Sequence, residues 1–183
     1  MPVILHKFRD YQPEAQTEIL ILGTFVPDNG DSPDFFYGRT RNFLWHLLPQ
    51  CWGLEPLKDE PLARKQDFMS AYHIDFADIV RSIEVTEGED LSSDDAFIDS
   101  HVAEWNDIVA LIDKLPNLKA VYFTKKTFNG VAHMRGQVKR IADHCIASNI
   151  RFCKLETPSK FYSPAKLKQW TDTIVLKTTC LRV

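Results

Sequence analysis

Short runs of apolar residues alternate along the chain with longer stretches in which apolar residues recur at helical spacing. Three runs have the length and composition of buried strands, at residues 17–23, 118–124 and 150–155. A shorter strand followed by a turn is predicted within residues 73–83. The pattern therefore predicts four strands, separated by segments of a different period.

The intervening segments have the apolar spacing of amphipathic helices. Helices are predicted at residues 42–48, ending at Pro49, and at 60–72, 104–115, 129–149 and 165–175. Strands that alternate with helices favour a mostly parallel sheet covered on both faces.

We therefore expect one domain over residues 1–183, a three-layer α/β/α sandwich with a central, mostly parallel four-stranded sheet. In such folds ligands bind beyond the carboxyl ends of the strands, near the point where the strand order reverses. The loops after Gly23, Phe123 and Leu155 are accordingly the places where function is expected.

Composition supports a folded protein and at first argues against nucleic-acid binding. The chain has 183 residues, 44% hydrophobic and 26% charged, and its formal net charge is −3. The charge is unevenly distributed, however. Residues 35–46, 119–140 and 158–170 carry eleven of the 22 Lys and Arg and no acid, whereas residues 82–113 carry ten of the 25 acids. This distribution predicts a basic face, suited to selective docking on DNA.

Several classes of protein are not indicated. No apolar run approaches the roughly 20 residues that span a bilayer, and the first residues lack the pattern of a signal peptide. The four cysteines form no CxxC pair and the six histidines no ligand motif, so no metal or cofactor is expected. The cysteines are expected to be free, mostly buried thiols, with a disulfide between two of them as the alternative. A cytoplasmic monomer, associated with the nucleoid when acting, is predicted.

The loop after the first strand combines aromatic, cationic and amide side chains. Three adjacent aromatics at 35–37 are followed by Arg39, Arg41 and Asn42. Aromatic rings stack on bases, arginines bind phosphates, and an amide orients water or contacts a base edge. Asn42 could equally be the N-cap of the next helix, and the aromatics could be core residues.

The loop after the last strand is rich in proline and hydroxyl groups. Thr157, Pro158 and Ser159 precede a helix that begins near Ser163 and Pro164. The positively polarised start of a helix suits a phosphate group. An ordinary strand-to-helix turn would have the same composition.

The order and spacing of these motifs resemble the uracil-DNA glycosylase superfamily, most closely its mismatch-specific and hypoxanthine-DNA glycosylase branches. The resemblance rests on ILILGT, FYGRTRNFLWHLL, FADIV, NLKAVYFT and LETPS with a following SP, and it covers roughly residues 17–175. Two departures stand out. The first motif has one extra residue before Pro27 and Asp28 where glycine is usual, and larger residues follow Ser159.

The resemblance implies a glycosylase that hydrolyses the N-glycosidic bond of a deaminated base in DNA and needs no cofactor. Tyr37 would stack on the flipped base, and Asn42 would hold the attacking water or contact the base edge. Backbone N–H groups after Gly23, at Thr24 and Phe25, would stabilise the departing base.

The same resemblance implies the remaining site residues. Pro158 and Ser159 form the second motif, with Lys160 in support at the DNA backbone, where Arg39 and Arg41 would also bind. Asp78, in FADIV, matches an acid of related sequences and could orient water, or it could be an ordinary surface or capping acid.

Two other functions remain open from the sequence. The divergent first motif is consistent with a catalytically inactive module that kept the fold and binds a nucleotide or nucleic acid. Hydrolysis of a small nucleoside or nucleotide would require only the pocket.

Overall fold

A four-stranded, entirely parallel sheet lies at the centre of the protein. The computed structural model describes residues 2–30, 33–88, 91–92, 94–178 and 180. The sheet consists of β2 (Ile19–Gly23), β3 (Ile74–Asp78), β6 (Ala120–Phe123) and β7 (Arg151–Lys154), in the order β3-β2-β6-β7. The four predicted strands are thus confirmed, each shorter than its predicted range.

A second, three-stranded antiparallel sheet packs beside the first. Its strands are β1 (Val3–Leu5), β4 (Val80–Glu84) and β5 (Val102–Trp105), in the order β1-β4-β5. None of these three strands was predicted from the sequence. β1 and β5 have three and four residues and carry almost no periodic signal, and only one residue separates β4 from β3, where a turn was expected.

In the described part of the chain, six helices connect the strands and cover both faces of the parallel sheet. They are α1 (Leu44–Gln50), α2 (Leu62–Tyr72), α3 (Asp95–His101), α4 (Ile108–Asp113), α5 (Ala132–Ala147) and α6 (Pro164–Ile174). The predicted helix at 104–115 is wrong in its first part, where β5 runs instead.

The apolar run of β2 explains why both faces need cover. Leu20 and Leu22 pack in one core with α3, α4 and α5, while Ile21 packs in the other with α1, α2 and α6. All three side chains are fully buried. Because successive residues of a strand point to opposite faces, an unbroken apolar run requires helices on both sides. The expected three-layer α/β/α sandwich is therefore confirmed.

Helix α1 does not end at Pro49 as expected. Proline has no N–H to donate, so the carbonyl of Trp45 one turn earlier loses its helical partner. The backbone N–H of Leu57 donates to that carbonyl at 2.7 Å instead, and α1 continues to Gln50. A tertiary hydrogen bond thus satisfies the acceptor that the proline leaves open.

The acidic stretch at 82–113 is more ordered than the exposed loop expected in its first half. It contains the end of β4 and the whole of α3, although Glu89 and Asp90 lie outside the described residues. The buried carboxylate of Asp99 accepts hydrogen bonds from the backbone N–H groups of His133 and Met134, at the start of α5. Asp99 thereby caps a helix that has no capping side chain of its own.

The cysteines differ from the prediction of free thiols. Cys153 of β7 forms a disulfide with Cys180, whereas Cys51 and Cys145 are free and buried. Burial raises the pKa of Cys51 to about 11 and that of Cys145 to about 12. The two cysteines are 27 positions apart in the sequence, and no CxxC spacing predicted their pairing. Only the fold brings them together.

None of the helices in the described part of the chain is long and apolar enough to cross a membrane. No group of three or more His, Cys, Asp or Glu side chains suited to a metal ion occurs among the described residues. Localisation and oligomeric state stay predictions.

We predict that Asp99→Ala lowers the free energy of unfolding by roughly 1–3 kcal/mol, because two buried N–H groups at the start of α5 lose their acceptor. Urea denaturation measures the change. Asp143→Ala, which removes an exposed carboxylate paired with Lys139, is the matched control and should cost less than about 0.5 kcal/mol. Equal stability of the two variants would contradict the capping role.

Candidate functional site

A pocket of about 460 Å³ lies at the carboxyl edge of the parallel sheet. Its floor contains Gly23 at the end of β2, Asp78 at the end of β3 and Thr124 directly after β6, and Thr157 after β7 lines it as well. β2 and β6 are neighbours in the sheet. From β2 the chain continues to β3 on one side, and from β6 it continues to β7 on the other side. The pocket therefore lies at the reversal of strand order, where α/β folds bind ligands.

All eleven residues singled out from the sequence line this one pocket. They are Gly23, Thr24, Phe25, Tyr37, Arg39, Arg41, Asn42, Asp78, Pro158, Ser159 and Lys160. They come from four separate segments of the chain, which only the sheet brings together.

Gly23 allows two side chains of the pocket to approach the end of β2. A Cβ at this position would lie 2.3 Å from Asp78 Oδ1 and 2.7 Å from Tyr37 Oη, both shorter than any ordinary contact. Gly23 and Asp78 are register partners in adjacent strands. The absence of a side chain at Gly23 is thus a condition for the pocket.

Tyr37 is held in place by its backbone and by its hydroxyl. Its φ of 57° is in the left-handed region, which is uncommon for a residue with a side chain. The hydroxyl of Thr124 donates its proton to the Leu22 carbonyl at 3.1 Å. The Tyr37 hydroxyl lies 3.1 Å from Thr124 Oγ1, and it must therefore be the donor in that hydrogen bond. Burial, and secondly the charge of Asp78, raise the pKa of Tyr37 well above its ordinary value, so the phenol stays neutral.

Asn42 lines the pocket directly before Phe43, which is the N-cap residue of α1. Its Oδ1 accepts the backbone N–H of Leu44, the first residue of that helix, at 3.0 Å. Because Oδ1 is engaged, the side-chain NH₂ is the group available to a ligand in the pocket. Asn42 is therefore tied to the start of α1 and lines the pocket, but the N-cap position that the sequence also allowed for it belongs to Phe43.

The loops after β2 and β7 are joined through their backbones. Phe43 N donates to the Pro158 carbonyl at 2.9 Å, and Lys160 N donates to the Arg41 carbonyl at 2.9 Å. These bonds flank an antiparallel bridge between Asn42 and Ser159. The two motifs therefore form one wall of the pocket.

Lys166, which the sequence analysis did not select, holds the second loop from below. It is 4% exposed, and its ammonium donates to the carbonyls of Ser159, at 3.1 Å, and Phe161, at 2.8 Å. Desolvation is the main cause that lowers its pKa. The start of α6 is capped by the Ser163 hydroxyl and does not line the pocket. The phosphate site expected at that helix start is therefore not part of the pocket.

Asp78 is buried and not the surface acid that its sequence context also allowed. It is 5% exposed, and its Oδ2 lies 2.7 Å from Nε2 of His6. Among the described residues no hydrogen bond to its Oδ1 is recorded. Asp78 thus presents one engaged and one open oxygen at the pocket floor.

The acidic stretch also contributes to the lining of the pocket. Ser92, Asp94 and Asp95 line the pocket there. Asp95 pairs with Lys125 at 2.6 Å, and Asp94 accepts the Ala96 N–H at the start of α3. The expected separation of the basic and acidic segments is therefore incomplete at this pocket.

Backbone N–H groups are also available at the pocket. Thr24 and Phe25 line it directly after β2, and within the described part of the chain neither N–H has a protein acceptor. Two adjacent free N–H groups can bind an oxygen or an anionic ring edge.

Comparisons with known proteins show the fold. No known family matches the chain, and no curated protein matches it. The solution NMR structure of a putative uracil DNA glycosylase from Methanosarcina acetivorans superposes with a TM-score of 0.61, covering 93% of this chain and 92% of that chain at 20% identity. The two chains share one fold.

We predict that Gly23→Ala destabilises the protein by about 1–3 kcal/mol, because the new methyl group must displace Asp78 and Tyr37. Urea denaturation gives the free energy of unfolding. Gly136→Ala in α5 is the matched control, since nothing lies within 4 Å of the added Cβ, and it should raise stability by roughly 0.5–1 kcal/mol. A harmless Gly23→Ala would contradict the close approach.

Proposed function

We propose that the protein is a monofunctional DNA glycosylase that hydrolyses the N-glycosidic bond of a deaminated base, uracil or hypoxanthine. The observation that carries the proposal is the meeting of a buried carboxylate, Asp78, and an amide donor, Asn42, in one pocket at the sheet edge. The shared fold with a putative uracil DNA glycosylase supports it.

The pocket would take a base that has left the duplex. Flipping costs a few kcal/mol and is cheapest at a mismatch or lesion. Tyr37 offers an aromatic ring for stacking, anchored through its hydroxyl to Thr124. A ring fixed at both ends binds the base without a further loss of side-chain entropy.

Asn42 is suited to selecting deaminated bases. Its NH₂ group donates, and its oxygen is already engaged by Leu44. Uracil and hypoxanthine carry a carbonyl acceptor where cytosine and adenine carry an amino donor. A donor in the pocket therefore favours the deaminated base and leaves the amino group of a normal base without a partner.

Asp78 would accept a proton from the attacking water. The C1′–N bond breaks with its electron pair leaving on the base, while the water oxygen bonds to C1′ and its proton passes to Asp78 Oδ1. The negative carboxylate also stabilises the cationic sugar. The N–H groups of Thr24 and Phe25 would stabilise the negative charge on the departing base, which later takes up a proton.

Cations and one aromatic ring at the mouth of the pocket would contact the DNA strand. Arg39, Arg41 and Lys160 line the pocket together with Ser159, whose backbone bridges to that of Asn42. Phe161, beside Lys160, is 57% exposed. Cations bind phosphates without regard to sequence, whereas an exposed ring contacts bases.

We predict that Asn42→Asp lowers the single-turnover rate on uracil- and hypoxanthine-containing oligonucleotides on the order of 10²-fold, because one transition-state donor is lost. Aspartate keeps an oxygen for the Leu44 N–H, so the stability should change little. Alkali cleavage at abasic sites reports the rate. Full turnover by this variant would refute the role of Asn42.

We predict that Lys160→Ala makes the salt dependence of DNA binding shallower, the slope of log K against log salt falling by about one. Lys139→Ala is the control, since that exposed lysine of α5 pairs with Asp143 and does not line the pocket. Fluorescence anisotropy of labelled DNA at several salt concentrations gives both slopes. An unchanged slope for Lys160→Ala would count against a phosphate contact.

A further inference from the structure

His6 is buried beside the pocket, although nothing in its sequence context indicates a function. Its ring is 1% exposed, and Nε2 lies 2.7 Å from Asp78 Oδ2. The backbone of His6 is held on both sides, since its N–H donates to the Arg81 carbonyl at 2.8 Å and the residue bridges to Pro27. The histidine therefore approaches Asp78 from a fixed position.

The hydrogen bonds of the ring define its tautomer. Nδ1 accepts the backbone N–H of Phe8 at 2.9 Å, so Nδ1 carries no proton of its own. Nε2 is then the protonated nitrogen and donates to Asp78 Oδ2. A neutral donor satisfies one carboxylate oxygen without adding a positive charge, whereas an arginine or lysine partner would offset the negative charge of Asp78 with its own.

The rest of the His6 ring is surrounded by aromatic residues. The rings of Phe8, Phe25 and Phe36 have centroids 5.9, 5.5 and 6.1 Å from that of His6. The imidazole therefore has an apolar cage and two defined polar contacts. Such a cage restricts the ring to the orientation that meets Asp78.

We propose that His6 is a positioning residue for hydrolysis: it engages Oδ2 of Asp78 so that Oδ1 stays open toward the pocket and retains its charge. This inference rests on the proposed glycosylase function. A carboxylate without this donor could rotate, and its open oxygen would no longer be held toward the reacting carbon. Misplacement of a reacting group by about 1 Å costs on the order of 10² in rate.

The matched variants are His6→Phe and His6→Gln. Phenylalanine has a similar volume and suits the aromatic cage, but it has no donor for Asp78. Glutamine places an N–H near the position of Nε2. We expect His6→Phe to lower the single-turnover rate constant roughly 10–100-fold and His6→Gln to recover most of the loss.

The second readout is the affinity for DNA that contains an abasic site. A positioning residue acts on the rate, so the Kd of His6→Phe for this product DNA should stay within about twofold of wild type. A purely structural role would lower stability and affinity while leaving the rate constant of the bound complex unchanged. Wild-type rate in His6→Phe, or a rate in His6→Gln as low as in His6→Phe, would overturn the inference.

Two further measurements keep the outcomes separate. If His6→Phe does not fold, His6→Asn takes its place, because the asparagine amide is one bond too short to reach Asp78. We then expect His6→Asn to react slowly and His6→Gln to react fast, and equal rates of these two variants would overturn the proposal. A wild type that cleaves no oligonucleotide contradicts the glycosylase function itself. ¹⁵N NMR of the imidazole then still tests the pairing, since a protonated Nδ1 at pH 7.5 is incompatible with it.

Discussion

The close approach across Gly23 is the constraint on which the candidate site depends. Asp78 Oδ1 and Tyr37 Oη both occupy the space that a side chain at the end of β2 would fill. Their proximity places a negative charge beside the half-buried Tyr37, and that charge contributes to the raised pKa of its phenol. The site is therefore one packed unit, in which a ring, a carboxylate and a bare backbone position depend on one another.

The sheet supplies the frame for that unit. Four parallel strands end at the same edge, and the reversal between β2 and β6 leaves a cleft there. The loops after β2 and β7 close one wall through paired backbones, with Lys166 beneath the second loop. The strands and the hydrogen-bonded loops hold polar groups at defined positions, as a functional site requires.

The electrostatics of the pocket are mixed. Two arginines and a lysine line it, and so do Asp94 and Asp95. Asp95 is paired with Lys125, so part of the acidic wall is neutralised. Under the proposed function, the cations would bind a phosphate backbone and the negative charge of Asp78 would stabilise a cationic sugar, so the fold has to hold these groups at separate positions.

Local patterns in the sequence alone determined the layer architecture of this protein and the location of its pocket. The apolar run of β2 requires burial on both faces, which predicts the three layers, and strand-end loops that carry Tyr37, Asn42 and Ser159 indicate where a pocket forms. Local patterns suffice here, because strand faces and loop chemistry are properties of neighbouring residues. They do not suffice for β1 or β5, which are too short, or for the end of α1, where the distant N–H of Leu57 replaces the one that Pro49 lacks.

Only the tertiary structure decided the partners of Asp78 and the pairing of Cys153 with Cys180. His6 lies 72 positions from Asp78, and the residues around either one do not predict the contact between them. Their contact exists because β3 ends beside the segment that follows β1, in a cage of phenylalanines contributed by separate loops. Contacts of this kind depend on the packing of whole elements, which no local pattern encodes.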